Sequence, residues 1–105
     1  MNDYKIILEN SALNDMKKII RYIEEDLTEP DTAVNFYNNA IKVINSLNSM
    51  PKRNRVIDRD VVAEVEFRRV FINSYTAFYY VNDADLTVHI VRVLHTSQNW
   101  IQYLE

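Results

Sequence analysis

The chain has neither cysteine nor glycine, and only two prolines, two histidines and one tryptophan in 105 residues. Without cysteine it forms no disulfide framework and no thiolate metal site, which accords with a reducing cytoplasm. Without glycine it lacks the residue that lets backbone approach phosphate, so a P-loop and a dinucleotide fingerprint are both excluded. A serine-hydrolase elbow fails on the same ground. His89 and His95 are six apart; on one unbroken strand they would share a face at a separation of about 20 Å, too far for one metal ion. No metal and no cofactor is therefore expected. No apolar run reaches the roughly 18 residues of a membrane span, and the opening MNDYKIILEN is too polar for a secretory signal. A cytoplasmic protein with no membrane association is expected.

What is present is ordinary for a globular chain: 48% hydrophobic and 26% charged residues, with a formal charge of −3. The length suits one domain, residues 1–105, with a core on one side of a sheet. The acidic balance argues against broad nucleic-acid binding. Charge is uneven, with five Lys/Arg against eight Asp/Glu in residues 1–50 and seven of each in 51–105. A local basic bias lies at Lys52, Arg53, Arg55, Arg59, Arg68 and Arg69.

Three β-branched and aromatic runs, Val65–Ile72, Tyr75–Val81 and Leu86–Leu94, are separated by Asn73-Ser74 and by Asn82–Asp85, the pattern of an antiparallel meander. Upstream, Tyr4–Glu9 reads as a short strand. From an N-cap at Ser11, the stripe Leu13, Met16, Ile20, Ile23 and Leu27 predicts an amphipathic helix to about Asp26. Thr28–Asp31 breaks it. Asp31 or Thr32 is expected to cap a second helix, with Pro30 just outside and Pro51 ending it; Ala33, Tyr37, Ala40, Ile44 and Leu47 form one stripe, and Phe36, Val43 and Met50 its neighbour. So short a link predicts an antiparallel helical hairpin laid on the meander, an α+β fold. Residues 51–63 read as a charged connector, and Thr96–Glu105 as a short terminal helix or a docked tail.

Arg68, then Tyr75-Thr76-Ala77-Phe78-Tyr79, then Val91-Arg92-Val93-Leu94-His95 resemble the RelE/ParE superfamily of bacterial toxins. Ser11-Ala12-Leu13, Tyr22-Ile23, Ala33, Phe36 and Met50-Pro51 look like its ParE branch. The resemblance implies an N-terminal strand, a helical hairpin and a three-stranded meander. It also implies the toxin of a type II toxin–antitoxin system of the plasmid-stabilisation kind, which inhibits growth and is neutralised in a hetero-oligomer by an antitoxin. ParE-like members poison DNA gyrase; RelE-like members cut messenger RNA on the ribosome. Thr76 stands where RelE-like nucleases carry an arginine, and Thr96-Ser97-Gln98-Asn99 replaces their basic cluster. Gyrase is thus the first expectation and ribonuclease the alternative. The same missing basic residues motivate a third reading, an inactive toxin-derived binding module.

If the chain were a ribonuclease, His95 would serve as acid or base, Arg68 or Arg92 as the cation, and Tyr79 or Tyr103 as a stacking or proton-donating group. For target binding the candidates are Lys52, Arg53, Arg55, Arg59, Arg69 and Trp100. Each has a structural reading beside it. His95 fits a strand-end structural histidine, and Arg68 and Arg92 fit cross-strand partners of Glu64 or Glu66. Tyr75, Tyr79 and Tyr80 fit sheet packing, and Lys52–Arg59 fits a solvated loop.

Overall fold

The computed structural model describes residues 3–57 and 65–104. Its elements are strand β1 (Lys5–Leu8), helices α1 (Asn10–Arg21) and α2 (Pro30–Asn45), strands β2 (Arg68–Ile72), β3 (Tyr75–Asn82) and β4 (Thr87–His95), and a terminal turn of helix α3 (Ile101–Leu104). The expected α+β arrangement is present: an N-terminal strand, a helical hairpin and an antiparallel meander followed by a short helix. β1 adds to the meander parallel to β4, giving the sheet order β1-β4-β3-β2. Among the described residues no helix is long and apolar enough to cross a membrane.

Both helices cover one face of the sheet. α1 contributes Ala12, Met16 and Ile19 to the core and the π-helical turn after it Ile23; α2 contributes Ala33, Phe36, Ala40 and Ile44 and the 3-10 turn after it Leu47; the sheet answers with Ile72, Ala77, Tyr79, Val88, Ile90 and Val93. The buried stripe of α1 is thus rotated from the one expected, because Ala12, small enough for close approach, faces the sheet while Leu13 and Leu27 are exposed. Tyr37 on α2 and Met50 beyond its end are likewise exposed.

The helix ends depart from expectation in an informative way. α1 starts at Asn10 with Glu9 as its N-cap residue and no side-chain cap, because the Ser11 hydroxyl is engaged on β4. α2 starts at Pro30 itself, with Glu29 before it; the fixed φ of proline suits a first helical position, where no N–H partner is required. α2 also ends before Pro51, passing into a 3-10 turn at Ser46–Asn48, and a second such turn covers Pro51–Arg53. α1 continues instead through a π-helical turn, Tyr22–Asp26. β2 begins only at Arg68, and an isolated bridge pairs Arg68 with Val56 of the connector. Beyond Ile57 that connector, with Arg59 and Glu64, lies outside the described residues.

Turns that glycine would normally fill are made by other residues. Thr28, Met50, Asn73 and Leu86 all have φ between 50° and 55°. A left-handed L-residue costs roughly 1–2 kcal/mol, least for asparagine and most for a β-branched residue such as threonine.

A β-bulge lies in the β3–β4 ladder. Phe78 pairs with Arg92 but Tyr79 pairs with Ile90, so Val91 is the extra residue. The inward alternation Val88, Ile90 therefore resumes at Val93. This overturns the expectation that the two histidines share a face: His95 meets Tyr75 on the helix side, whereas His89 stacks on Tyr80 on the other.

Candidate functional site

β1 pairs with β4 only over Thr87–Ile90. Past that point β4 would present bare backbone, and the start of α1 supplies the partners. The Glu9 N–H donates to the Ile90 carbonyl at 2.9 Å and the Ser11 hydroxyl to the Val91 carbonyl at 2.5 Å. The Asp15 carboxylate accepts from the Val93 N–H at 3.0 Å. Ser11 and Asp15 are one helical turn apart and so present their oxygens along one line.

Asp15 is only 7% exposed. A buried carboxylate needs a charge partner, and Arg92 provides it in a two-pronged contact, Nε to Oδ2 at 2.7 Å and Nη2 to Oδ1 at 2.8 Å. The bulge is what lets Arg92 reach over the strand edge to α1. Its guanidinium also lies 4.8 Å from the centre of the Tyr103 ring. Donating hydrogen bonds to the Asp15 carboxylate holds the Arg92 guanidinium above the ordinary arginine range, against the opposing effect of burial.

Alongside this pair is an open cavity of about 230 Å³, lined by Asp15, Lys18, Ile19, Tyr75, Arg92, Val93, Leu94, His95, Gln98 and Tyr103. His95 is exposed at its rim. The Ser97 N–H donates to His95 Nδ1 at 3.2 Å, and the Ser97 hydroxyl lies 2.7 Å from the same atom. An accepting Nδ1 places the proton of the neutral ring on Nε2. The His95 N–H is tied to Gln98 Oε1 at 2.9 Å, and its ring packs edge-on to Tyr75 at 5.3 Å. Burial pushes the Tyr75 phenol above its ordinary range. Chemically, the cavity offers the Lys18 ammonium, the Asp15–Arg92 ion pair, an imidazole and two phenols.

Of the five ribonuclease candidates, Arg92, His95 and Tyr103 come together here. Arg68 and Tyr79 do not. Tyr79 is 0% exposed; its hydroxyl donates to the Pro51 carbonyl at 2.7 Å and accepts from Asn54 Nδ2 at 3.0 Å. The Arg68 guanidinium donates to the carbonyls of Asn54 and Lys52. Together they fasten residues 51–54 to the sheet.

The target-binding candidates are scattered. Lys52 is ion-paired with Asp83, which also accepts from the Tyr4 hydroxyl at 2.8 Å. Arg53 reaches back to the end of α2, donating to the Ser46 and Ser49 carbonyls at 3.0 Å. Arg55 is exposed, and Arg69 sits over the exposed ring of Phe71 at 5.8 Å. Trp100 packs on Phe78 at 5.5 Å.

Sequence reasoning missed Asp15, Lys18 and Gln98 as members of the cavity and assigned Ser11 to a cap. A signal was available: Ser11 and Asp15, four apart, sit beside the apolar positions Ala12, Met16 and Ile19, where an acid has no reason to be unless something across the interface meets it.

No curated protein is a recognisable sequence relative of the chain. Its fold is similar to that of the chromosomal ParDE system of Pseudomonas aeruginosa (TM-score 0.68, 15% identity, covering 88% of this chain and 95% of that one). It is also similar to the RelBE2 toxin–antitoxin complex of Mycobacterium tuberculosis (TM-score 0.63, 21% identity, 93% and 97%) and to the RelE–RelB complex of Pyrococcus horikoshii (TM-score 0.59, 14% identity, 91% and 98%). At these identities the likeness establishes the fold. Residues 6–100, nearly the whole chain, match the ParE toxin family of type II toxin–antitoxin (parDE) systems, and the chain belongs to that family.

Proposed function

We propose that this toxin is silenced in a hetero-oligomer by a cognate antitoxin and, when released, stops growth by inhibiting DNA gyrase. The match of residues 6–100 to the ParE toxin family carries this reading. The geometry supports it through what is withheld from the competing chemistry. Cutting RNA calls for a base, an acid and cations free to meet the charge on the phosphorane. Arg68 and Tyr79 are engaged on the Pro51–Asn54 segment, and Arg92 is neutralised by Asp15. Gyrase inhibition by surface contact requires none of them to be free. Arg55 and Arg69, both exposed, are the contacts proposed for it, with Trp100 supporting the adjoining sheet face.

One observation favours a second reading, a ribosome-dependent endoribonuclease. The cavity gathers Lys18, His95 and Tyr103 beside Arg92, with the exposed His95 ring held through Nδ1 by Ser97. The two readings separate in cells. Induction of the chain without its antitoxin should arrest growth with relaxed plasmid DNA and intact messages; cut messages with normal supercoiling would favour the nuclease, and unimpaired growth would refute both.

A further inference from the structure

The sheet face away from the helices carries a second cluster of ionisable groups, none of which lines the cavity beside Asp15 and Arg92. Val88 and Ile90 of β4 turn into the core, so Thr87 and His89 lie on the opposite face. Neither is open to solvent: Thr87 is 7% exposed and the His89 side chain 16%. His89 Nδ1 lies 2.8 Å from Glu9 Oε1, and His89 Nε2 lies 3.0 Å from Thr87 Oγ1. The Thr87 hydroxyl in turn donates to Asp85 Oδ1 at 2.5 Å. The three contacts form a relay, Glu9 to His89 to Thr87 to Asp85, with a carboxylate at each end.

An ionised carboxylate only accepts hydrogen bonds, and this fixes where the protons are. Thr87 gives its single hydroxyl proton to Asp85, so toward His89 its oxygen accepts. Glu9 accepts as well. All three bonds therefore exist together only when both ring nitrogens carry a proton, which makes His89 an imidazolium. A neutral ring has one proton too few. If Nδ1–H stays on Glu9, Nε2 takes the Thr87 hydroxyl proton and Asp85 loses its donor. The Tyr80 ring favours the charged form, lying parallel to the imidazole with 4.6 Å between centres and 6° between planes. Two other ionisable groups belong to this face. The Tyr80 phenol is pushed above its ordinary range by burial and then by Glu9 and Asp85, and the exposed Lys5 stands beside Thr87 in the β1–β4 register.

We infer that His89 is a proton-operated latch on β1. Glu9 directly follows the last residue of that strand, and its first residue, Lys5, donates its N–H at 2.8 Å to the Leu86 carbonyl, next to Asp85. A protonated His89 fastens both ends of the four-residue edge strand to β4; a neutral one releases the turn end. The released turn holds Leu86 at φ 55°, a left-handed conformation that is costly for leucine. Because the closed latch holds a proton that the open one lacks, acid closes it and alkali opens it.

The test is nuclear magnetic resonance of the nitrogen-15-labelled full chain from about pH 5 to about pH 9, the range across which histidines titrate. At the acid end both His89 ring nitrogens should be protonated, and at the alkaline end the remaining proton should sit on Nδ1. Over the same range the Lys5 and Ala84 amides, which are bonded to Leu86 and Asn82, should lose protection about tenfold after correction for the exchange of an unstructured peptide, the equivalent of one charge-assisted hydrogen bond. Asp85→Ala, at an exposed position, leaves the Thr87 hydroxyl to His89 at every pH and should abolish that dependence. His89→Gln identifies the ring signals and should abolish it too. A neutral His89 with its proton on Nε2, wild-type protection that does not change with pH, or a folded Asp85→Ala chain that keeps the dependence overturns the inference.

Discussion

Replacing Asp15 by alanine is the sharpest perturbation of the framework. The carboxylate satisfies three donors at once: two on Arg92, at 2.7 and 2.8 Å, and the Val93 N–H at 3.0 Å. Removing one partner of a fully buried ion pair costs roughly 3–5 kcal/mol, because the remaining charge is stranded. Here the Arg92 side chain is 24% exposed, so water recovers part of that loss. The orphaned Val93 N–H adds about 1 kcal/mol or more. A destabilisation of about 2–4 kcal/mol follows, a large share of the 5–15 kcal/mol by which a domain of this size is stable. Asp15→Asn keeps an acceptor for Val93 and loses the charge, so it should cost about half as much. Urea unfolding followed by far-ultraviolet circular dichroism at neutral pH measures both, with an unchanged m-value as the check that the unfolded state is the same. A cost below about 0.5 kcal/mol for the alanine variant, or an asparagine variant as poor as alanine, would refute this reasoning.

Three further outcomes are expected. Burial raises the Tyr79 phenol above its ordinary value near 10, with the hydrogen bond from Asn54 and the nearby arginines opposing. A folded value above the unfolded one means that this contribution is complete below pH 10 and is lost as pH rises through the folded value. Tyr79→Phe should therefore cost about 1–3 kcal/mol at pH 7 by orphaning Pro51 and Asn54, yet flatten the loss of stability above pH 10, as seen in urea midpoints across that range. Thr28→Gly should stabilise by about 0.5–1 kcal/mol and raise the melting temperature, since glycine relieves the left-handed threonine; an unchanged or lower value would count against strain at that turn. If the chain cuts messages on the ribosome, His95→Ala should abolish the cutting, and retained cutting would remove His95 from the chemistry.

The outline of the fold was legible because its signals are local. Runs such as Tyr75–Val81 alternate about turn residues, and the helical stripes repeat every three or four positions. The parallel docking of β1 on β4 was not, since it joins Lys5 to Thr87 across the whole chain and leaves no mark on either strand alone. The rotation of α1 depends on Ala12, whose fit is a matter of what lies opposite. The bulge at Val91 is likewise silent in sequence, and it alone separates the faces of His89 and His95. Of the candidate site, Arg92, His95 and Tyr103 were found through their chemistry and position near the strand end. Arg68 and Tyr79 showed the same chemistry but are absorbed by Pro51, Lys52 and Asn54, residues whose backbone carbonyls no side-chain pattern reveals.

The most direct test of function is a titration of purified chain into a gyrase supercoiling reaction on relaxed plasmid, with topoisomers resolved on a gel and the antitoxin added back as a control. Loss of supercoiling with increasing toxin, reversed by the antitoxin, is expected. Undiminished supercoiling at a large molar excess of folded chain, together with cleavage of a ribosome-bound message, would contradict it.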